Sequence, residues 1–125
     1  MSLHTPGLEH RHAGLAALSS RYVNCDDLPW TATAFPGVRL KVLVQDPDTG
    51  LQTVLTQMDP GAVLPDHEHV GLEQSWVIEG SLVDHEGEVK AGGFVWRPAG
   101  SRHSAHAPHG ALVLGIFQQP NRFFG

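Results

Sequence analysis

The chain contains 125 residues, of which 41% are hydrophobic and 17% are charged. This composition is typical of a single globular domain and not of a disordered chain, and no apolar run approaches the roughly 20 residues of a membrane-spanning helix. The formal net charge of −5, with no cluster of Lys and Arg, argues against nucleic acid or an anionic membrane as the partner.

Cysteine and histidine usage adds two expectations. The single cysteine, Cys25, rules out an intrachain disulfide. Because the start of the chain also lacks the apolar stretch of a secretory signal, we expect a cytoplasmic protein. Nine histidines stand beside only eight Lys plus Arg, which indicates that some histidines have a role other than carrying charge.

The first part of the chain has little periodicity. Residues 1–21 mix Gly, His, Ala and Ser, which predicts a loose N-terminal arm with one helical turn around Leu15–Ser20. His10 and His12 lie in this arm without a strand pattern, so we expect both to be solvated. Residues 22–125 are predicted to form a single domain.

From Val38 onward the pattern is that of an all-β protein. Short alternating or β-branched stretches follow one another, separated by turn residues such as those of 47–50, Pro-Asp-Thr-Gly. The predicted strands are VRLKVLVQD, LQTVLTQM, EQSWVIEG, the two arms of SLVDHEGEVKAGG, FVWRPAGSRHSAHA on both sides of its Pro/Gly turn, and ALVLGIF. Short strands at this spacing, without a long helix, favour a sandwich or barrel.

A histidine and glutamate pattern begins after the second of these strands and continues to the end of the third. Gly61 is followed after five residues by His67, after one by His69, after three by Glu73 and after six by Gly80. Side chains alternate along a strand, so His67 and His69 project to the same side, and Glu73 has the same parity. A carboxylate beside an apolar strand needs a partner, and a metal ion provides one.

A second pattern, made of glycine, proline and histidine, follows further along the chain. Gly92, five residues, Pro98, one residue, Gly100, two residues and His103 place a histidine directly after a tight turn. That turn is expected to bring His103 beside the first three residues. Three neutral imidazoles and one carboxylate suit Fe(II), Mn, Ni, Co, Cu or Zn and leave coordination positions open, as a catalytic site requires. After three further residues, Ala107 follows His103.

Together the two patterns resemble the two motifs of the cupin superfamily, and the flanking sequences look like those of ChrR-type cupins. The resemblance covers about residues 61–107 and departs from the family at Ala107, where an asparagine is frequent. It implies an all-β double-stranded β-helix, or jelly-roll barrel. It also implies one divalent metal ion per chain, held by the metal ligands His67, His69, Glu73 and His103. The alternative is a barrel that keeps the pattern without a metal.

Relatives of this type include acetylacetone-cleaving and dihydroxyacetophenone-type dioxygenases. The resemblance therefore implies a dioxygenase that cleaves a C–C bond in a small diketone, hydroxyketone or phenolic substrate, with Fe(II) as the favoured metal and Glu73 as a catalytic residue. A sensor or binding module of the ChrR type is an alternative, and so is a non-redox lyase or isomerase.

Strand parity makes further predictions. Ser75 and Val77 should point inward with Glu73, whereas Trp76 and Ile78 should point outward, which favours a homodimer. Arg97 and Arg102 bracket the Pro/Gly turn and are candidates for binding an anionic substrate. The remaining histidines of the domain are expected at the surface: His85, His106 and His109.

Overall fold

The computed structural model describes residues 2–124, which form a curled antiparallel sheet with little helix. There is one helical turn, α1 (Glu9–His12), and one 3-10 turn (Cys25–Asp27). The strands are β1 (Thr31–Ala32), β2 (Val38–Gln45), β3 (Gln52–Met58), β4 (Ala62–Glu68), β5 (Glu73–Val83), β6 (Glu88–Lys90), β7 (Phe94–Arg97), β8 (Arg102–Ala107), β9 (Ala111–Phe117) and β10 (Arg122–Phe123). No helix within 2–124 is long and apolar enough to span a membrane.

The strands form two sheets that share β5. One sheet has the order β1-β2-β3-β9-β5, with β7 also paired to β5, and the other runs β10-β4-β8-β5 with β6 on the far side. The first part of β5 pairs with β7 and β9, and its last residues, 81–83, pair with β6 and β8. The prediction of an all-β jelly-roll barrel is therefore confirmed.

Alternation along β5 divides its side chains between the interior and the surface. Ser75 and Val77 are buried inside the barrel, whereas Trp76 and Ile78 are 48% and 41% exposed, as strand parity predicts. Full burial of a side chain such as Val77 contributes about 1.5–3 kcal/mol. The core that it joins consists of Val38, Met58, Ala62, Val77, Leu82, Ala107, Ala111 and Val113.

Gly80 lies where β5 passes from one sheet to the other. Its φ of +71° belongs to the left-handed region, and a Cβ at this position would lie 1.9 Å from the carbonyl oxygen of Gly110. No other residue fits there without a movement of the backbone. The glycine that closes the first motif is thus required by the close approach of two chain segments.

The structure of the N-terminal arm differs in detail from the structure that the sequence predicted. The helical turn is α1, at Glu9–His12, and not at Leu15–Ser20. The beginning of the arm is attached to the barrel: Thr5 is buried and its hydroxyl donates to the carbonyl of Leu43 at 2.6 Å, and Leu8 is buried beside it. Leu18, in contrast, is fully exposed. Without an apolar face to bury, the later segment gains nothing from helix formation.

Candidate metal centre

The fold brings the four predicted ligands together from three strands. His67 lies on β4 and His69 directly follows that strand, Glu73 begins β5, and His103 lies on β8. The pairing of β4 with β8 sets His67 opposite His103. One ligand atom from each of the four residues lies within 4.8 Å of all the others, and the group is largely buried. Such a cluster can hold a metal ion, although its role as a ligand set stays a prediction.

Hydrogen bonds fix the protonation of two of the imidazoles. His67 Nδ1 is 2.7 Å from the carbonyl oxygen of Pro65, and His103 Nδ1 is 2.7 Å from Oδ2 of Asp84. A carbonyl or carboxylate oxygen can only accept, so Nδ1 carries the hydrogen in both rings. In the neutral ring Nε2 then has a free lone pair, which is the form that binds a metal.

His69 is fixed in the same way by Ser101. The Ser101 hydroxyl donates to the carbonyl of Pro98 at 2.7 Å, and therefore its oxygen accepts from His69 Nδ1 at 2.9 Å. This leaves Nε2 of His69 free to face Oε2 of Glu73 at 2.5 Å. That contact lacks hydrogen-bond geometry, and both atoms are buried without a hydrogen-bond partner. Two convergent lone pairs in a buried site are what a bound cation would satisfy.

Titration of these groups favours the metal-binding forms. Burial lowers the pKa of His67 and of His103, and their hydrogen bonds to Pro65 and Asp84 offset this only in part. Burial raises the pKa of Glu73, but nearby positive charge, including that of Arg97, favours the carboxylate, and the pKa lies below its ordinary value. At neutral pH the cluster therefore offers neutral imidazoles at His67 and His103 and an ionised carboxylate, donors that fit a divalent metal.

Asp84 is a site residue that the sequence reasoning missed. It lies at the end of β5, where its Oδ1 accepts from the backbone N–H groups of Glu86 and Gly87 at 2.8 and 3.1 Å and its Oδ2 accepts from His103. Those bonds outweigh the effect of burial and lower the pKa of Asp84. An aspartate three residues before a turn glycine indicates an Asx turn, but nothing local indicates that its second oxygen reaches His103.

A cavity of about 50 Å³ adjoins the cluster. Half of its lining residues carry polar side chains: Thr56, His67, Glu73, Ser75, Arg97, His103 and Asn121. Ser75 contributes little bulk, as predicted, and its hydroxyl donates to Oε1 of Glu73 at 3.3 Å. Asn121, between β9 and β10, was not predicted, and its Oδ1 is buried without a hydrogen-bond partner.

The other candidate residues lie away from this cavity. Arg102 is exposed and paired with Asp66, with Nη2 2.5 Å and Nε 2.9 Å from the carboxylate. His85, His106 and His109 are exposed, which confirms their predicted surface positions. The pairing to Asp66 shows that Arg102 faces outward beside the barrel, whereas Arg97 faces the cluster.

The jelly-roll barrel and the His-x-His, Glu and His residues that converge inside it define the protein as a cupin. More narrowly, the chain belongs to the ChrR Cupin-like domain family, whose sequence profile matches residues 18–121. A sequence comparison with curated proteins gave no significant match.

Solved structures of similar fold include two whose names refer to acetylacetone dioxygenases. A provisionally assigned acetylacetone dioxygenase from Methylibium petroleiphilum PM1 superposes with a TM-score of 0.79 and 24% identity, covering 89% of this chain and 85% of that one. The acetylacetone dioxygenase from Acinetobacter johnsonii gives 0.74 and 18%, covering 89% and 80%. At these identities the likeness concerns the fold alone.

A third similar structure is a regulatory complex. A chain in the structure of Rhodobacter sphaeroides SigE in complex with the anti-sigma ChrR gives a TM-score of 0.64 and 25% identity, covering 75% of this chain. The match spans half of the length of that chain.

Proposed function

We propose that this protein is a mononuclear non-haem dioxygenase that cleaves a C–C bond in a small diketone, hydroxyketone or phenolic substrate. The observation that carries the proposal is the buried cluster of three Nε2 atoms and one carboxylate oxygen next to a cavity. A buried structural metal site needs no adjoining space, whereas a catalytic site must admit a substrate. The names of the two similar dioxygenase structures support the choice of reaction.

One divalent metal ion per chain is the proposed cofactor, with His67, His69, Glu73 and His103 as its ligands. Fe(II) is favoured by the reaction, while the same donors suit Zn, Ni, Mn, Co or Cu. When bound, the ion supplies Lewis acidity toward a substrate oxygen and, if it is iron, one-electron chemistry with O2.

The protein side chains hold this arrangement before any ligand arrives. Each imidazole is oriented by a hydrogen bond at Nδ1, and Glu73 is held through Oε1 by Ser75. Apolar side chains in the wall of the cavity lower the local dielectric constant and so strengthen electrostatic interactions inside it. Glu73 is the proposed catalytic residue because its negative charge partly offsets that of a divalent ion and its oxygen restrains the ligand geometry.

The test combines metal analysis with O2 uptake. Wild type, His67→Ala, Glu73→Gln and His106→Ala are purified without added metal, and the last serves as control because His106 is exposed on the same strand as His103. We expect His67→Ala to lose most metal and Glu73→Gln to keep appreciable metal but lose most turnover with acetylacetone or simple phenols, since catalysis depends on geometry held to well under about 1 Å. His106→Ala should behave as wild type.

Full metal content in His67→Ala would refute the ligand assignment. Equal O2 consumption by wild type and Glu73→Gln at matched iron content would remove Glu73 from the catalytic residues. Substrate conversion without O2 uptake would identify a lyase or isomerase instead.

A regulatory role is the second candidate, favoured by the family and by the likeness to a chain of the SigE–ChrR complex. In that case the cluster binds a metal and a small molecule without turning the latter over. Binding of a metal and of a ligand with no conversion of any tested substrate, aerobically or anaerobically, would favour this role.

We also propose a homodimer formed through the outer face of β5 and β7. Trp76 and Phe94 are directly opposite each other in the pairing of these strands, and both are exposed together with Ile78 and Trp96. Adjoining exposed apolar side chains of this size usually mark a contact surface. A cytoplasmic location is also proposed, on the basis of the single cysteine.

A further inference from the structure

Arg97 is a largely buried arginine whose side chain lacks hydrogen-bond partners. It lies opposite Glu73 in the pairing of β5 with β7, lines the cavity, and its side chain is only 12% exposed. Within residues 2–124 its side chain makes no hydrogen bond. Its one ion-pair contact joins Nη2 to Oδ2 of Asp84 at 3.6 Å, a distance too long for a hydrogen bond. A guanidinium carries five N–H donors and is rarely buried without partners.

Other arginines of the chain are paired differently. Arg102 donates to both oxygens of Asp66, and Arg39 donates to Asp59 at 2.6 Å, with both pairs at the surface. Each of these guanidinium groups has a nearby carboxylate of its own. Arg97 has no carboxylate within hydrogen-bond distance.

Charge balance in the loaded site indicates what that ligand is. Two carboxylates, Glu73 and Asp84, lie at the site with three imidazoles, which are neutral when they bind a metal. A divalent ion and Arg97 together carry three positive charges, so one positive charge is left without a partner. An uncompensated buried charge is costly, and a monoanion would balance it.

The size of the cavity and a second polar side chain in its wall, Asn121, describe the ligand further. A cavity of about 50 Å³ has room for one or two waters, each with a share of about 30 Å³ of liquid volume, or for the reacting end of a small ligand. The buried amide oxygen of Asn121 faces it without a partner. Because an amide can present either end, Asn121 can accept from or donate to a second ligand oxygen.

We propose that Arg97 binds the oxyanion of a monoanionic ligand, such as an enolate, a phenolate or a carboxylate, and that Asn121 orients its second polar group. The assignment rests on the proposed function, because it assumes a divalent ion in the cluster, and it specifies the charge of the substrate. Arg102 takes no part in this recognition.

Cobalt-loaded protein provides the test without relying on turnover. Acetate and acetamide are matched probes of nearly the same shape that differ in charge. Wild type, Arg97→Gln, Arg97→Lys and the control Arg102→Gln are titrated with each, following cobalt absorption and calorimetric heat. We expect Arg97→Gln to weaken acetate binding by roughly tenfold or more, the loss of a charge-assisted hydrogen bond. Acetamide binding should change little, Arg97→Lys should be intermediate, and Arg102→Gln should match wild type.

The possible failures are distinguishable. A wild type that binds no cobalt would overturn the proposed function itself. Wild type and Arg97→Gln with equal cobalt content and equal acetate affinity would overturn only the role of Arg97, and so would an equal loss in Arg102→Gln. If Arg97→Gln fails to fold by circular dichroism, Arg97→Lys decides: no change in its preference for acetate over acetamide, together with no change for Asn121→Leu, would refute the assignment.

Discussion

Replacing Asp84 with Asn should weaken metal binding although Asp84 is not a ligand. In the wild type its carboxylate accepts from His103 Nδ1 at 2.7 Å and so keeps the hydrogen off Nε2. A neutral amide is a weaker acceptor. It can also turn its NH2 toward Nδ1, which would favour the tautomer with hydrogen on Nε2 and block that atom as a ligand.

The size of the effect follows from burial. The side chains of His103 and Asp84 are only 5% and 10% exposed, so water cannot replace the lost bond. Loss of such a partner typically lowers metal affinity by about 10–100-fold, or about 1.4–2.8 kcal/mol, and we expect a value in the upper half of this range.

Competition with a chelator of known affinity measures the change, using zinc or cobalt and equal protein concentrations. Asp66→Asn is the matched control, because Asp66 is an exposed aspartate whose partner is Arg102. We expect its metal affinity to equal that of wild type. If Asp84→Asn also binds metal as tightly as wild type, the reasoning about the tautomer of His103 is refuted.

Three further predictions concern the whole protein. Since burial lowers the pKa of His67 and His103 below the ordinary 6.5, the unfolded chain binds more protons below that pH. The metal-free protein should therefore lose stability to urea as the pH falls from 6.5, and a flat profile would contradict this. Gly80→Ala should cost more than about 2 kcal/mol, from a left-handed backbone and the clash at Gly110, and a calorimetric midpoint equal to wild type would exclude that origin. Trp76→Glu should dissociate the proposed homodimer in light scattering, while a monomeric wild type at high micromolar concentration would disprove the dimer.

The predicted ligand cluster drew on the cupin resemblance and on local information. The resemblance implied that His103 lies beside His67, which the pairing of β4 with β8 achieves. Alternation places His67 and His69 on one side, and this inference needs only a few consecutive residues. The same holds for the outward Trp76, whose parity relative to Glu73 is fixed within a single strand.

The rest of the site depends on which distant segments meet. Asp84 reaches His103 across 19 positions of sequence, and Asn121 enters the cavity only because β10 pairs with β4. The need for glycine at position 80 arises from Gly110, on another turn. The prediction of the helical turn in the arm failed for a different reason. A single turn gains too little stability for helix propensity to locate it, and its position is decided by what it packs against.

The sharing of β5 between the two sheets has a consequence for folding. Neither sheet can be completed while the other is missing, because each takes part of its hydrogen bonding from the same eleven residues. Half-formed barrels would leave one end of β5 with unpaired backbone groups and an open edge. Unfolding should therefore be an all-or-none transition, in which the histidine and glutamate cluster and the barrel are lost together.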